Sequence, residues 1–367
     1  MEQGRISSFQ MALLMYPLVV ATADVTAPAL TFKYAQRDLW LSPVWASIAG
    51  VITLWLAVRL ERFYPGKTII QYLVSILGTG LGKAVGLLFL FYYLHQNGNI
   101  IRIFQELVVS NFLTFTPMFV VIGGMIIICG CAVRGGLEVI ARTAQVFIPI
   151  VFLFSILVFV LLIPELSVKK LFPILERGLG PSLKGAIVPW SWFTHFFLLP
   201  YIIPYLRDRE KGQKWGMISI FAIVSMLVIF NTYTLMLFGS ITGKFTYPVM
   251  QAARLISIAD FLEHVESVVV VIWVAGAYLK IAIYYYVLVL GTAQWLNLGN
   301  YKPIVFPLGM LLLVFTLWVA PSLQDLSTFV DKAAPFYDSL VQILIPLLLL
   351  LIVLIRNKMS SKKENAH

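Results

Sequence analysis

Tyr92, His95, Asn99, Arg102 and Glu106 recur in one apolar stretch at steps of 3, 4, 3 and 4 residues. At 100° per residue they fall within about 80° of arc, so a helix here carries a single polar stripe. Arginine and glutamate are costly to expose to lipid, and one turn apart they can neutralise each other. The stripe therefore either locks helix packing through an Arg102–Glu106 pair or lines a binding or ion pathway. Asp24 is the only acid in its own apolar run, flanked by Thr22, Ala23 and Thr26. A carboxylate so placed needs a cation: a ligand ammonium, a bound monovalent ion, or Lys280, which stands midway along another apolar run. Ser191, Trp192, Thr194 and His195 add aromatic walls and a few donors, the makeup of a small-molecule pocket. For His195 a packing role competes with a proton switch. Lys280 and Tyr284 share a helix face, while Tyr278, Tyr284, Tyr285 and Tyr286 together read more simply as an aromatic belt at the membrane edge than as a polar path.

The elements that position these residues follow from composition. Of 367 residues, 60% are hydrophobic and 12% charged, with a mean hydropathy of +0.90. A soluble domain carries about 25% charged residues, so a water-soluble enzyme is excluded, as are disordered, collagen-like and disulfide-stapled chains. The net charge of +10 comes from 27 Lys and Arg that lie mostly in short connectors. There they act as topology signals, and no nucleic-acid partner is expected. Cys129 and Cys131 would lie roughly 200° apart on a helix, so they neither pair nor share a metal. There is no Gly-rich phosphate loop, no metal-ligand spacing and no nucleophile beside a base, so neither catalysis nor a cofactor or metal is expected. Ala21-Thr22-Ala23 imitates a signal-peptidase site, but Glu2 offsets Arg5 in what would be a basic leader.

Apolar runs near residues 9–34, 42–60, 83–112, 117–133, 139–163, 186–206, 215–240, 267–295, 303–320 and 337–356 predict ten transmembrane helices, because lipid cannot satisfy an open backbone. The whole chain, 1–367, reads as a single integral membrane domain in the bilayer, with a basic tail at 357–367. With the N-terminus inside, 16 Lys and Arg flank the inner connectors and 9 the outer ones, which puts both termini in the cytoplasm. Gln251 to Phe261 carries apolar residues at helical spacing and predicts a short amphipathic helix on the outer surface. The first span is interrupted by Ala21-Thr22-Ala23-Asp24-Val25-Thr26 and Pro28, and the sixth by Pro189, Ser191, Thr194, His195 and Pro200. Five spans separate these breaks, so they run in opposite directions, as an inverted repeat of five plus five helices requires, with repeats at about 9–163 and 186–356.

Nearly the whole chain resembles the B subunits of spore germinant receptors, the spore germination permease family within the amino acid, polyamine and organocation superfamily. The specific stretches are Leu171-Phe172-Pro173-Ile174-Leu175-Glu176-Arg177-Gly178-Leu179-Gly180-Pro181, and Phe261-Leu262-Glu263-His264-Val265-Glu266-Ser267 leading to Trp273. Arg102 with Glu106, Thr116-Pro117 and Leu199-Pro200 also match. The resemblance implies an all-α polytopic fold of ten helices similar to LeuT, with discontinuous helices 1 and 6. It also implies a sensing subunit that works with A and C partners in the spore inner membrane. A nutrient such as an amino acid would bind between the first, third, sixth and eighth helices. Thr22, Ala23, Asp24, Thr26, Tyr92, Asn99, Ser191, Trp192, Thr194 and His195 are then the candidate ligand-binding residues, and Arg102, Glu106, Lys280 and Tyr284 the candidates for coupling. A proton- or cation-coupled amino-acid transporter of the same fold is the alternative. The family often has Gly-x-Gly where this chain has Ala21-Thr22-Ala23, and Gly with an acid where it has Trp192 and Thr194, which changes where a ligand ammonium would be held.

Overall fold

The structure, a computed structural model, describes residues 2–256 and 266–364. Its described residues are almost entirely helical: α1 (Ser8–Ala35), α2 (Ser42–Phe63), α3 (Ile69–Leu77), α4 (Thr79–Asn111), α5 (Met118–Gly135), α6 (Leu137–Leu162), α7 (Gly180–Gly185), α8 (Ile187–Thr194), α9 (Gly212–Phe238), α10 (Pro248–Arg254), α11 (Glu266–Trp295), α12 (Val305–Val319), α13 (Leu323–Thr328), α14 (Ala334–Ser339) and α15 (Ile345–Glu364). Boundaries follow local chemistry. Ser7 and Thr68 open α1 and α3 with capping boxes completed by Gln10 and Gln71. Gly136, at φ 97°, makes the turn between α5 and α6 that a side chain would strain.

Seven stretches among the described residues are long and apolar enough to cross a membrane. The runs expected at 83–112 and 186–206 fall outside that set, while the first run contributes the shorter apolar helix Ser8–Asp24 and, from Thr26, the start of the span Thr26–Phe63. These three carry most of the polar side chains singled out above. The expected surface helix begins earlier than predicted, at Pro248, and residues 257–261 of it lie outside the described residues.

The packing is reciprocal: α1 lies against α9, and α8 against α2. The first helix of each expected repeat thus packs on the second helix of the other, as two interlocked halves require. α11 runs through the middle, touching α4, α5, α6 and α1. Both chain ends lie at one end of the bundle, here called proximal. There the Ile6 backbone pairs with those of Tyr205 and Arg207 at 3.1 and 2.9 Å, and Arg356 donates to the Ile76 carbonyl at 2.6 Å. Glu2 accepts from the first amide of α6 at 3.1 Å and from the Tyr301 hydroxyl at 3.0 Å, satisfying a helix start that no side chain of α6 caps.

The expected interruption of helix 1 does not occur. α1 is helical from Ser8 to Ala35 despite Pro17 and Pro28 inside it. Alanines at 21, 23 and 27 are the strongest helix formers, where glycines would have lowered the cost of unwinding. The Thr26 and Thr31 hydroxyls fold back onto the Thr22 and Ala27 carbonyls at 3.2 and 2.5 Å. Pro28, which has no N–H, removes one i→i−4 bond from the helix without breaking it. The sixth span does change character: α8 gives way at His195 to a 3₁₀ helix, His195–Tyr201, and then to Ile203–Tyr205. Pro200 and Pro204 each remove an i→i−4 bond there, favouring the tighter winding. The last span is wound irregularly too, with π-helical turns at Phe329–Ala333 and Leu340–Leu344 bracketing α14.

Candidate functional site

The buried polar centre is Asp338, on α14, held by three side chains from two other elements. The Tyr92 hydroxyl of α4 donates to Oδ1 at 3.0 Å, Gln96 Nε2 donates to the same oxygen, and His195 Nε2 stands 3.6 Å from Oδ2. Gln96 also donates to Tyr92 at 3.0 Å. Tyr92 and Gln96 are one turn apart on α4, which supplies a donor pair. The onset of 3₁₀ winding turns His195 toward the same carboxylate. The His195 ring meets Tyr284 of α11 edge-on, with centroids 5.7 Å apart. Four helices therefore converge on one acid.

Asp338 and Gln96 were not among the sequence candidates. Asp338 lies at the second position of its predicted span and reads as a flanking charge. Gln96 sits one residue off the stripe through His95 and Asn99. The signal available was the i, i+4 pair Tyr92 and Gln96, which rotates the facing side of α4 toward α14. His95 falls beside that face, half-buried among Phe315, Phe329 and Tyr337, and makes a 3.3 Å contact with Asn99.

Other candidates divide clearly. Lys280 Nζ donates to the Thr22 hydroxyl at 2.7 Å, and its charge is felt by both Asp338 and Asp24. For the considered Asp24–Lys280 pair, the structure records the ammonium on the Thr22 hydroxyl with the Asp24 charge nearby. Asp24, two residues on, lines a cavity of about 10 Å³, the size of one water, with Ser155, Phe230 and Trp273. Ala23 is buried in the core. Ser191 and Thr194 spend their hydroxyls on the Val188 and Ser191 carbonyls of their own helix, at 2.9 and 2.6 Å, and Trp192 is core. These three shape the sixth span; their side chains do not reach the Asp338 cluster. Arg102 and Glu106 form the anticipated pair at 2.7 Å, and Gln105 accepts from the same guanidinium at 2.9 Å. Tyr284, Tyr285 and Tyr286 are fully buried, so the aromatic-belt reading is wrong for them: they belong to the interior of the bundle.

At the distal end a cavity of about 560 Å³ opens between α1, the 3₁₀ segment Gly239–Lys244 and α13, lined by Thr26, Lys33, Ile103, Lys244, Tyr247 and Ser327 among others. Lys33 of its lining pairs with Asp331 of the first π-helical turn, which also accepts, at 2.9 Å, from the Tyr34 hydroxyl. Burial, and secondarily the charge of Glu106, pushes the Tyr247 phenol up to about 12, so it stays a neutral donor there at neutral pH.

A helical membrane bundle with interlocked halves and buried polar groups where four helices meet has the architecture of the LeuT-like fold. It matches a Na⁺-coupled sialic acid symporter in a substrate-bound outward-open state, at TM-score 0.68 and 11% identity over 92% of this chain and 78% of that one. It also matches MHP1, a nucleobase-cation-symport-1 family transporter in a closed conformation, at TM-score 0.59 and 13% identity over the same shares. Within this LeuT-like class the chain belongs to the spore germination protein family, whose model matches residues 5–323. Relatives include spore germination protein KB of Bacillus subtilis, 24% identical over 99% of this chain and 98% of that protein. The putative spore germination protein YfkT of the same organism is 29% identical over 92% and 93%. The relatives and structural neighbours are germination proteins and transporters, and the chain is an integral membrane protein.

Proposed function

We propose that this chain is the germinant-sensing subunit of a receptor in the spore inner membrane, with both termini cytoplasmic. It would bind a small nutrient, an amino acid above all, and signal to A and C partner subunits. Family membership supports this reading. The observation that carries it is the last span: beside its two π-helical turns it bears Asp331, which pairs with Lys33 of the distal cavity lining, and seven residues on Asp338, in the buried cluster. A nutrient entering that cavity meets Lys33, Lys244 and Thr26. Its carboxylate competes with Asp331 for Lys33. Deeper in, Tyr92, Gln96 and His195 are the groups that reorganise when α14 moves, and Arg102 with Glu106 holds α4 as the frame. Ligand that binds one helix arrangement more tightly shifts the population toward it.

Two measurements test this. Thermal-shift screening of the purified chain against single amino acids and sugars should find a stabilising ligand, since saturation at a hundred times the dissociation constant adds about 2.7 kcal/mol. In spores carrying only this receptor, Thr26→Val and Asp338→Asn should abolish the response to that ligand. A flat screen with an unchanged response in both variants overturns the assignment. A second reading, a proton- or cation-coupled transporter, draws support from the symporter neighbours and the buried Lys280. Accumulation of labelled amino acid by vesicles containing this chain alone selects it.

A further inference from the structure

Between the Asp338 cluster and the proximal end runs a series of buried polar groups that the fold leaves unanswered. The hydroxyls of Tyr284, Tyr201 and Tyr72 are fully enclosed and have no hydrogen-bond partner of good geometry among the described residues, and the equally enclosed Tyr93 hydroxyl and Gln294 amide nitrogen have only the Gln342 side chain and Tyr205 within looser reach. They are not scattered. His195 touches Tyr284 at 5.7 Å between ring centroids, Tyr284 touches Tyr93 at 5.9 Å, and Tyr93 touches Tyr201 at 5.3 Å. Tyr72, on α3, is a fully buried phenol neighbouring Tyr93 and Tyr201. It stands one turn from Thr68, whose hydroxyl meets the Gln294 side chain. Gln294 in turn lines a cavity of about 390 Å³ with Gln71, Lys83 and Asn297. The series thus begins at an acid–imidazole pair and ends at an opening.

A protein interior rarely tolerates one enclosed polar group without a well-formed hydrogen bond, and a run of such groups, neighbours in space through the core, would together cancel a large part of the stability of the fold. Phenylalanine would fill the same space without that cost. The groups make sense if each is answered by water, since enclosed polar sites of this kind hold water that makes two to four hydrogen bonds. We propose that these residues hold a file of ordered water that carries a proton between the His195–Asp338 pair and the proximal cavity. The balance is simple. One proton leaves the pair, each water and hydroxyl in the file passes one on by exchanging its O–H bond for a hydrogen bond, and one proton emerges as hydronium in the cavity. The pair faces Tyr92, Gln96, Tyr284 and Tyr337, with His95 and the Lys280 charge nearby, so its proton is held in a field containing one fixed acid and one fixed cation. This inference is independent of which nutrient the distal cavity takes.

X-ray radiolytic footprinting of the full chain in lipid nanodiscs reads the water directly. Tyr72, Tyr93, Tyr201 and Tyr284 should oxidise about tenfold faster than Phe89, Phe196 and Phe197, which are as buried but offer water no hydrogen bond. Equal rates overturn the file. Hydrogen–deuterium exchange at the His195 ring carbon reads the route. Tyr93→Phe and Tyr201→Phe delete a hydroxyl while keeping the ring, and each should slow that exchange about fivefold or more. Tyr16→Phe, which deletes an equally enclosed hydroxyl on α1 outside the series, should leave it unchanged. Exchange that neither Tyr93→Phe nor Tyr201→Phe slows, or that Tyr16→Phe slows equally, overturns the route.

Discussion

Asp338→Ala should be among the most damaging single changes in this chain, and the size of its effect can be worked from the contacts. The carboxylate accepts from Tyr92 and Gln96 and faces His195, and all four side chains are buried. Truncation leaves two enclosed donors and an imidazole unanswered. Removing one partner of a buried charged cluster costs about 3 to 5 kcal/mol. Asp338→Asn is the informative control. Its carbonyl oxygen still accepts from Tyr92 and Gln96, so only the charge-assisted share of each bond is lost, about 1 kcal/mol apiece. The expected order is therefore wild type, then Asn about 2 kcal/mol lower, then Ala about 4 kcal/mol lower. Reversible unfolding of the purified chain in mixed micelles measures it. If Ala and Asn cost the same, or both cost under about 0.5 kcal/mol as for an exposed position, Asp338 does not hold α4 and the sixth span together and the site has been drawn around the wrong residue.

Three further outcomes follow from the same contacts. Arg102→Ala leaves Glu106 beside α4 without its guanidinium and should cost about 3 kcal/mol, whereas adding Glu106→Ala restores about 2 kcal/mol of that in a double-mutant cycle; additive losses would mean the pair is not coupled. Lys280→Met keeps the length but removes a cation near Asp338 and Asp24, so unfolding free energy should fall by about 1 to 2 kcal/mol, and a variant more stable than wild type contradicts this. Gly185→Ala places a methyl 2.6 Å from both Ala35 Cβ and Ser42 Oγ, pushing α7 off the junction of α1 and α2 at about 1 to 3 kcal/mol, read in the same unfolding assay.

The sequence exposed whatever depends on one helix at a time. Helical membrane character and the Arg102–Glu106 pair rest on composition or on spacing within a turn, and both appear in the structure, whereas family membership rests on resemblance along the whole chain. The buried state of Lys280 and His195 was readable for the same reason, since a charge in the middle of an apolar run has few places to go. Contacts between helices were not readable. Periodicity fixes which residues share a face, but the rotation of that face is set by neighbours hundreds of residues away. That is why His95 was favoured over Gln96, and why Asp338, 246 residues from Tyr92, was missed. The supposed break in α1 failed on local grounds: Asp24, two threonines and Pro28 resemble an interruption, but alanine propensity and threonine hydroxyls folded onto the backbone keep the helix wound.

The two acids of the last span are unequal in a way that gives the proposed response its direction. Lys33 is 55% exposed on its side chain, so its contact with Asp331 is close to a surface ion pair, worth about 0.2 to 1 kcal/mol. The contacts of Asp338 are enclosed and several times stronger. A ligand carboxylate binding with even modest affinity can therefore take Lys33 from Asp331, while nothing in the cavity competes directly for Tyr92, Gln96 or His195. Since a π-helical turn holds one residue more than the α turn it replaces, relaxing Phe329–Ala333 shifts the register of α14 behind it. In the proposed response the weak outer contact yields first, and the strong inner cluster receives the displacement as a change in how Asp338 meets α4. A tight ion pair at Lys33 and a loose one at Asp338 would leave the ligand no comparable lever. Strengthening the outer contact should thus raise the nutrient concentration needed for a response without touching the Asp338 cluster.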